Sequence, residues 1–397
     1  MKPSRSLQAV LACIAMLSVI VSALAASNPW PLGYVNMQTK HTADKDTPKY
    51  SRTTVKFPCG GVACEAWLYL PKTNGTRPIV VMANGLGGQK DQGLENFAEP
   101  LVLGGAAVFL FDYRTFGGSE GVPRNWISGF RQLDDWDSAL NFVQGPGFAA
   151  AAAAARINVN KLAIWGSSFG GGHVIVVAAK MGARVTSVIS QVPHLSSDVT
   201  AFSSLIGLSP VQMFQMLPPS IEDFKANLAG EAPLKPGQAV LTVEAPGNIT
   251  RVYAVDPSGA STLRGVYLET FGRKGSLAMM QLDDDDLKQY WQSYGLDDYQ
   301  GGWRNIGRAQ FSQEGIWSFY NPFAWLPFVK AKILMIAGTE DKICPIWLAR
   351  KSAMLVRNMP GSEYVELKTG HFGVYLPPLL NTNMAIQVAF MKKTLMT

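Results

Sequence analysis

The chain has 397 residues, 47% hydrophobic and 16% charged, which excludes wholesale disorder and is ample for a large buried core. Its net charge is +6, but no Lys/Arg run stands out, so nucleic acid is not expected as a partner. The length exceeds one average domain, yet an α/β unit carrying an insertion reaches this size.

Residues 1–25 predict a secretory signal peptide. Lys2 and Arg5 supply the charged start, Leu7 to Leu24 is almost wholly apolar, and Ala23-Leu24-Ala25 is a small-x-small cleavage site before Ala26. The alternative is a single membrane anchor, since the apolar run is near spanning length. No later run approaches that length, so no stable membrane insertion is expected after signal removal, and the expected location is secreted or within the secretory pathway. Cys13 leaves with the signal. Cys59 and Cys64 bracket a segment that could fold as a hairpin, and in an oxidising compartment they are expected to form a disulfide; the alternative is two buried thiols. Cys344 is left unpaired. Asn74-Gly75-Thr76 and Asn248-Ile249-Thr250 make Asn74 and Asn248 candidate glycosylation sites.

Residues 26–50 are polar with scattered Pro and read as an irregular arm. Strand-like segments follow at Thr53–Phe57 and Glu65–Leu70. Pro78–Ala83 is a continuous apolar run of the kind a buried parallel strand needs, ending in Asn84-Gly85-Leu86-Gly87-Gly88. Ala106–Phe111 is another. Phe130, Leu133, Trp136, Leu140 and Val143 fall at helical spacing. Ala149–Ala155 is expected to be a solvent-side loop or helix extension. A strand begins at Leu162, and Val185–Val192 is the next.

After His194 the alternation breaks. Residues 196–325 are expected to form an inserted cap, with strand-like stretches at Ala239–Val243, Arg251–Val255 and Gly265–Leu268. Asp283–Asp286 reads as solvated rather than metal-binding, because oxygen-ligand loops alternate acids with turn residues. The alternation resumes with the strand Ala331–Ala337, the helix Trp347–Arg357, the strand Tyr364–Leu367 and a closing helix over Ala385–Leu395. Residues 26–195 and 326–397 thus predict an α/β core, a mostly parallel sheet with helices on both faces.

Gly-x-Ser-x-Gly occurs twice, around Ser168 and around Ser119. An apolar strand runs into Gly166-Ser167-Ser168-Phe169-Gly170 and a helix-like stretch leaves it, the strand–turn–helix context of a nucleophile elbow. Ser119 has neither neighbour. A serine hydroxyl needs a base within hydrogen-bond reach, and the base needs an orienting acid. Among the four histidines, His371 follows the last strand in a Gly-flanked loop and is preferred as base over His41, His173 and His194. Asp341 ends a strand between serine and histidine and is preferred as acid over Glu340 and Asp198. The amides of Phe169 and Leu86 are the expected oxyanion donors.

The segments VMANGLGGQKD, FDYRTFGGSEG, WGSSFGGGH, AGTEDKICP and GHF resemble the α/β-hydrolase superfamily, and within it the serine aminopeptidase-like and dipeptidyl-peptidase-like branch. The resemblance runs from about Tyr69 to the C-terminus, apart from the insert. It implies Ser168 as nucleophile, Asp341 as acid and His371 as base. One departure is Asn84-Gly85, where the family often has His-Gly. Fungal polyketide-processing acyl hydrolases and transferases share this core. The expected activity is cleavage of a carboxylic ester or thioester through an acyl-serine, on a small acyl substrate, with no cofactor and no metal. Met213, Met216, Met279 and Met280 of the insert favour an apolar acyl group or form the cap's own core. A serine peptidase, an acyltransferase and a non-catalytic binding module are the alternatives.

Overall fold

The computed structural model describes residues 44–121, 128–197 and 320–396, together with the backbone of short strands at 126–127, 239–245, 249–255, 261–267, 276–278 and 308–309 and residues 289, 290 and 293. The signal segment, His41, Asp198, Asn248, the four insert methionines and Asp283–Asp286 lie outside the described residues.

The chain enters through β1 (Lys45–Asp46), β2 (Tyr50–Cys59) and β3 (Val62–Pro71). The hairpin strands are longer than the sequence expectation at both ends, because Gly60 and Gly61, with φ of 54° and 88°, close a tight turn directly between them. In that register Cys59 faces Val62 and Cys64 faces Phe57, so the two cysteines lie diagonally across the hairpin. They are joined as a disulfide with Cα atoms 5.5 Å apart. Asn74 is exposed on the loop that follows β3.

The parallel part comprises β4 (Arg77–Ala83), β5 (Ala107–Phe111), β7 (Ile157–Ser167), β8 (Ser187–Gln191), β14 (Lys332–Gly338) and β15 (Glu363–Leu367). With β1 to β3 they form one sheet of nine strands in the order β1-β2-β3-β5-β4-β7-β8-β14-β15, antiparallel at the β1 end and parallel from β5 onward. The expected mostly parallel sheet is therefore present. Its central strands are buried on both faces, which is why they read as unbroken apolar runs.

The helices are α1 (Glu95–Leu103), α2 (Gly129–Val143), α3 (Pro146–Ala154), α4 (Phe169–Met181), α5 (Ile346–Val356) and α6 (Leu379–Leu395). Sheet register shows that they divide between the faces. Leu110, Met82 and Trp165 are paired across β5, β4 and β7 and so share one face. Trp165 packs on Phe97 of α1 and donates to Gln387 of α6 at 2.7 Å. The next residue of β5, Phe111, points the other way and meets Trp136 of α2. Of the two expectations for the Ala tract the helical one holds, as high Ala propensity favours: Ala149–Ala154 lie in α3 and Ala155 is its C-cap. The closing helix begins six residues earlier than Ala385, and α2 is capped by the Ser128 side chain, which accepts from the Arg131 amide.

Within the insert, β9 (Ala239–Ala245), β10 (Ile249–Val255), β11 (Ser261–Tyr267) and β12 (Ser276–Ala278) pair in order as an antiparallel sheet. A second pairing joins β6 (Trp126–Ile127) to β13 (Arg308–Ala309). Packing on the core has resumed by Tyr320, which is buried against Phe169, His173 and His194.

Candidate active site

The C-terminal ends of β4, β7, β14 and β15 lie along one edge of the sheet, the edge where open α/β sheets place their sites. At the end of β7 the chain turns through Ser168 into α4 with φ 58° and ψ −122°, a conformation that costs about 1–3 kcal/mol for a residue with a Cβ. The turn is possible because strand and helix almost touch: a Cβ on Gly166 would lie 2.1 Å from the Gly170 carbonyl oxygen, and one on Gly170 would lie 2.4 Å from the Asn84 carbonyl oxygen. The Ser168 amide donates to the Gln191 carbonyl at 2.9 Å, and its carbonyl accepts from His194 N at 2.9 Å.

Three separated residues meet at this edge. His371 Nε2 lies 2.9 Å from Ser168 Oγ, and His371 Nδ1 donates to Asp341 Oδ2 at 2.7 Å. The other carboxylate oxygen of Asp341 accepts from the amides of Ile343 and Cys344 at 2.8 and 2.7 Å, which fixes the plane of the acid. Asp341 and His371 are both buried. Such a chain allows His371 to take a proton from the hydroxyl while Asp341 holds the ring in one tautomer.

The competing residues are accounted for by other bonds. Ser119 is buried, donates to the Asp112 carbonyl at 2.7 Å and accepts from the Glu65 amide at 2.8 Å, so its hydroxyl is a loop fastener. Glu340 is exposed. His173 bonds to the Tyr320 hydroxyl through Nδ1 and to Gln132 Oε1 through Nε2, and burial pushes its pKa down to about 3. His194 contacts Ser197 Oγ at 2.9 Å, and burial together with nearby His371 pushes it down to about 4. Both imidazoles are neutral near pH 7.

Leu86 and Phe169 are brought to the same turn. A Cβ on Gly85, the residue before Leu86, would lie 2.9 Å from Ser168 Cβ and 3.4 Å from the Phe169 nitrogen. Phe169 opens α4, where the first amides have no partner within the helix. Asn84, standing where the resembling family often has His, braces the loop: its Nδ2 donates to the Gln89 carbonyl at 2.7 Å and its Oδ1 accepts from the Gly85 amide at 2.7 Å.

Among the described residues two groups offer metal-ligand atoms within 4.8 Å of one another, Cys59/Cys64/Asp135 and Asp341/Cys344/His371. In the first the sulfurs are bonded to each other. In the second His371 Nδ1 and Asp341 are spent on each other, and burial pushes the Cys344 thiol well up, keeping it protonated. Neither set offers a full complement of free lone pairs.

Sequence reasoning missed Tyr290 and Tyr320. The Tyr290 hydroxyl donates to the Gln92 carbonyl at 3.0 Å and its ring packs on Phe372, next to His371. Both come from the far side of the break in alternation, where no periodicity signals what they touch. Among the described residues no helix is long and apolar enough to cross a membrane.

This combination of a mostly parallel sheet and a strained serine turn facing a His–Asp pair has counterparts. A profile of the α/β hydrolase fold matches residues 78–378, and the chain belongs to that family. It is 36% identical over 212 residues to the quorum-quenching protein AidA of Acinetobacter baumannii (strain MDR-ZJ06), covering 52% of this chain and 66% of that protein. It is 33% identical over 155 residues to the thiohydrolase aneE of Aspergillus aculeatus, covering 38% and 45%. It is 31% identical over 149 residues to the polyketide transferase af380 of Aspergillus fumigatus, covering 37% and 47%. The matches span less than two thirds of these relatives' own length. Among solved structures, the α/β hydrolase GrgF from Penicillium superposes with a TM-score of 0.58 at 19% identity, covering 87% of this chain and 99% of that one, which shows the shared fold.

Proposed function

We propose that this α/β hydrolase is a secreted serine hydrolase that cleaves a carboxylic ester or thioester through an acyl-serine intermediate. The observation that carries the reading is the continuous chain from Asp341 through His371 to Ser168, with contacts of 2.7 and 2.9 Å. In the first step Ser168 Oγ attacks the carbonyl carbon as His371 Nε2 takes the hydroxyl proton. Asp341 holds the imidazole and stabilises its cation. The Leu86 and Phe169 amides bind the oxyanion, and collapse of the intermediate expels the alcohol or thiol, which takes the proton from His371. In the second step water attacks the acyl carbon as His371 takes its proton; the bond to Ser168 Oγ then breaks, His371 returns the proton to Oγ, and the carboxylic acid is released.

An acyltransferase is the second reading: the same acyl-serine handed to an acceptor other than water needs no new residue, and relatives named thiohydrolase and polyketide transferase support both outcomes. The aminopeptidase-like or dipeptidyl-peptidase-like branch ranks below them, because the relatives named thiohydrolase and polyketide transferase support ester, thioester and transfer chemistry. A binding module ranks last, since nothing in binding alone requires the strained Ser168 turn. Secretion rests on the pattern of residues 1–25, and the cap role of residues 196–325 on their place between strand ends.

A fluorophosphonate probe is expected to label the wild-type chain and not Ser168→Ala; a folded wild type that resists labelling refutes the enzyme. Turnover of p-nitrophenyl esters and acyl thioesters with none of aminoacyl-nitroanilides is expected, and the reverse pattern would make it a peptidase. Released product carrying an added alcohol or amine instead of water would select the transferase. N-terminal sequencing of exported protein should begin near Ala26.

A further inference from the structure

Behind the elbow lies a chain of buried neutral side chains that the acyl-transfer steps do not use. Ser167, the residue before the nucleophile, accepts from Gln191 Nε2 at 3.0 Å and from the Tyr375 hydroxyl. Gln191 Oε1 accepts in turn from Asn383 Nδ2 at 2.7 Å and from Gln387 Nε2 at 2.8 Å. Gln387 also binds Asn383 Oδ1 at 2.8 Å and accepts from the Trp165 indole at 2.7 Å. Asn383 reaches the Val374 carbonyl at 3.2 Å. Ser167, Gln191, Asn383 and Gln387 are each fully buried.

A core position is a costly place for four polar side chains. Four apolar residues of similar shape would serve stability about as well, so the arrangement calls for a reason beyond packing. The connections supply one. Gln191 grips the elbow twice: its carbonyl holds the amide of Ser168 at 2.9 Å and its side chain holds Ser167. Tyr375 and Asn383 grip the segment that follows His371, through the Tyr375 hydroxyl and the Val374 carbonyl. Nucleophile and base arrive on strands β7 and β15, which are separated in the sheet by β8 and β14, so the sheet does not pair them directly. The network spans that gap. It also sits beside two residues held at unfavourable positive φ, Ser168 at 58° and Val192 at 37°. Strain of that kind persists only where the surroundings over-determine it.

We infer that Ser167, Gln191 and Tyr375 are positioning residues that set the His371 Nε2 to Ser168 Oγ separation by tying the elbow and the histidine loop to one rigid neutral network anchored on α6. The inference rests on the serine-hydrolase reading of the site. Displacements of about 1 Å between reacting groups cost about a hundredfold in rate, so a network that holds 2.9 Å has a large effect to protect. Because its members are neutral, it imposes no pH dependence of its own.

The test uses the full chain and needs no knowledge of the natural substrate. The second-order rate of fluorophosphonate labelling at Ser168 is measured against pH for wild type, Tyr375→Phe, Ser167→Ala and the double variant, in samples whose melting curves show a single folded transition. Tyr375→Phe keeps the ring packing and removes one hydroxyl; Ser167→Ala removes the shared acceptor. The expected result is a labelling rate about tenfold lower in each single variant. The double variant should be no slower than the slower single one, with the extent of labelling at completion and the apparent pKa of the profile unchanged. Ser167→Thr, which restores the hydroxyl, should recover most of the rate. Labelling rates equal to wild type in both single variants, or losses that multiply in the double variant, overturn the inference. Loss only in final extent, at unchanged rate, also overturns it, because that is what a purely structural role gives. A wild type that is never labelled brings down the serine-hydrolase reading, and this inference with it.

Discussion

Asp341 shows how much of the candidate chemistry is set by single atoms. One carboxylate oxygen is committed to His371 and the other to two backbone amides, so the side chain cannot rotate away. Asp341→Asn keeps the shape, but with its oxygen held by the Ile343 and Cys344 amides it turns a donating NH2 toward His371 Nδ1 and favours the wrong imidazole tautomer; kcat should fall by roughly ten-thousand-fold with little change in KM. Equal activity of the Asn variant would remove Asp341 from the mechanism. His173 makes a different prediction. Its folded pKa lies near 3 and its unfolded value near 6.5, so below pH 6.5 the unfolded chain takes up a proton that the folded chain refuses. The contribution is intact above pH 6.5 and is lost as pH falls toward the folded value. The gap in unfolding free energy between wild type and His173→Gln should shift against wild type by about 1.4 kcal/mol per pH unit between 6.5 and 4. Parallel stability–pH curves would show that His173 does not refuse the proton. At this scale the sequence was informative where a residue type is scarce and its place on a strand end is clear: Ser168, Asp341 and His371 were legible from strand context. Gln191 and Tyr375 were not, because a polar residue closing an apolar strand, or a Tyr among apolar neighbours, looks like many others until the sheet order is known.

Among the elements, the loops after β4 and β5 are held together by a buried cluster. Lys90 is fully buried, and its Nζ reaches Glu65 at 2.8 Å and Asp112 at 2.5 Å. Burial works against the charge on Lys90, but Asp112 and Glu65 more than offset it and hold its pKa above the usual lysine value. The same loop carries Leu86, the proposed oxyanion donor, so the ion cluster bears on that proposal as well as on stability. Lys90→Met leaves buried Asp112 without its cation and Glu65 with only the half-exposed Lys56, and should cost about 3–5 kcal/mol at pH 7, measured by urea unfolding. A loss below 1 kcal/mol would mean that solvent reaches the cluster. The hairpin disulfide closes a very short loop, so replacing Cys59 and Cys64 together by Ala should cost only about 2 kcal/mol, the entropy of closing about six residues. Loss of folding altogether would show that the pair does more than restrain the unfolded chain. The hairpin could be read from CGGVAC because two glycines in a row are a local turn signal. The Lys90 cluster could not, since Glu65 lies on β3 and Lys90 and Asp112 on two separate loops, and only the sheet brings the three together.

On the scale of the whole molecule, alternation of apolar runs with helical periodicity predicted the parallel sheet, because each central strand is buried on both faces and must be continuously apolar. Strand order and the division of helices between faces were not legible, since both depend on which strands pair. The insert was least legible of all. Its strand-like stretches do correspond to β9, β10 and β11, but Tyr290 and Tyr320, which reach the site, carry no periodic signal.

Sheet order also bears on how this chain could be re-engineered. β8 and β14 run side by side in parallel register, although more than a hundred residues intervene, so the chain must cross back over the sheet between them. Within that crossover the insert leaves and returns at adjoining points, the Ser197 amide donating to the Tyr320 carbonyl at 3.0 Å and the Phe323 amide to the Leu195 carbonyl at 2.9 Å, which makes the junction a graft site: whatever is spliced there need only bridge a short gap. Exchanging the segment between Ser197 and Tyr320 for the corresponding one from a family member should therefore carry substrate preference from donor to recipient while leaving fluorophosphonate reactivity in place. A chimera that folds, labels and keeps the recipient's preference would locate selectivity in the sheet edge instead.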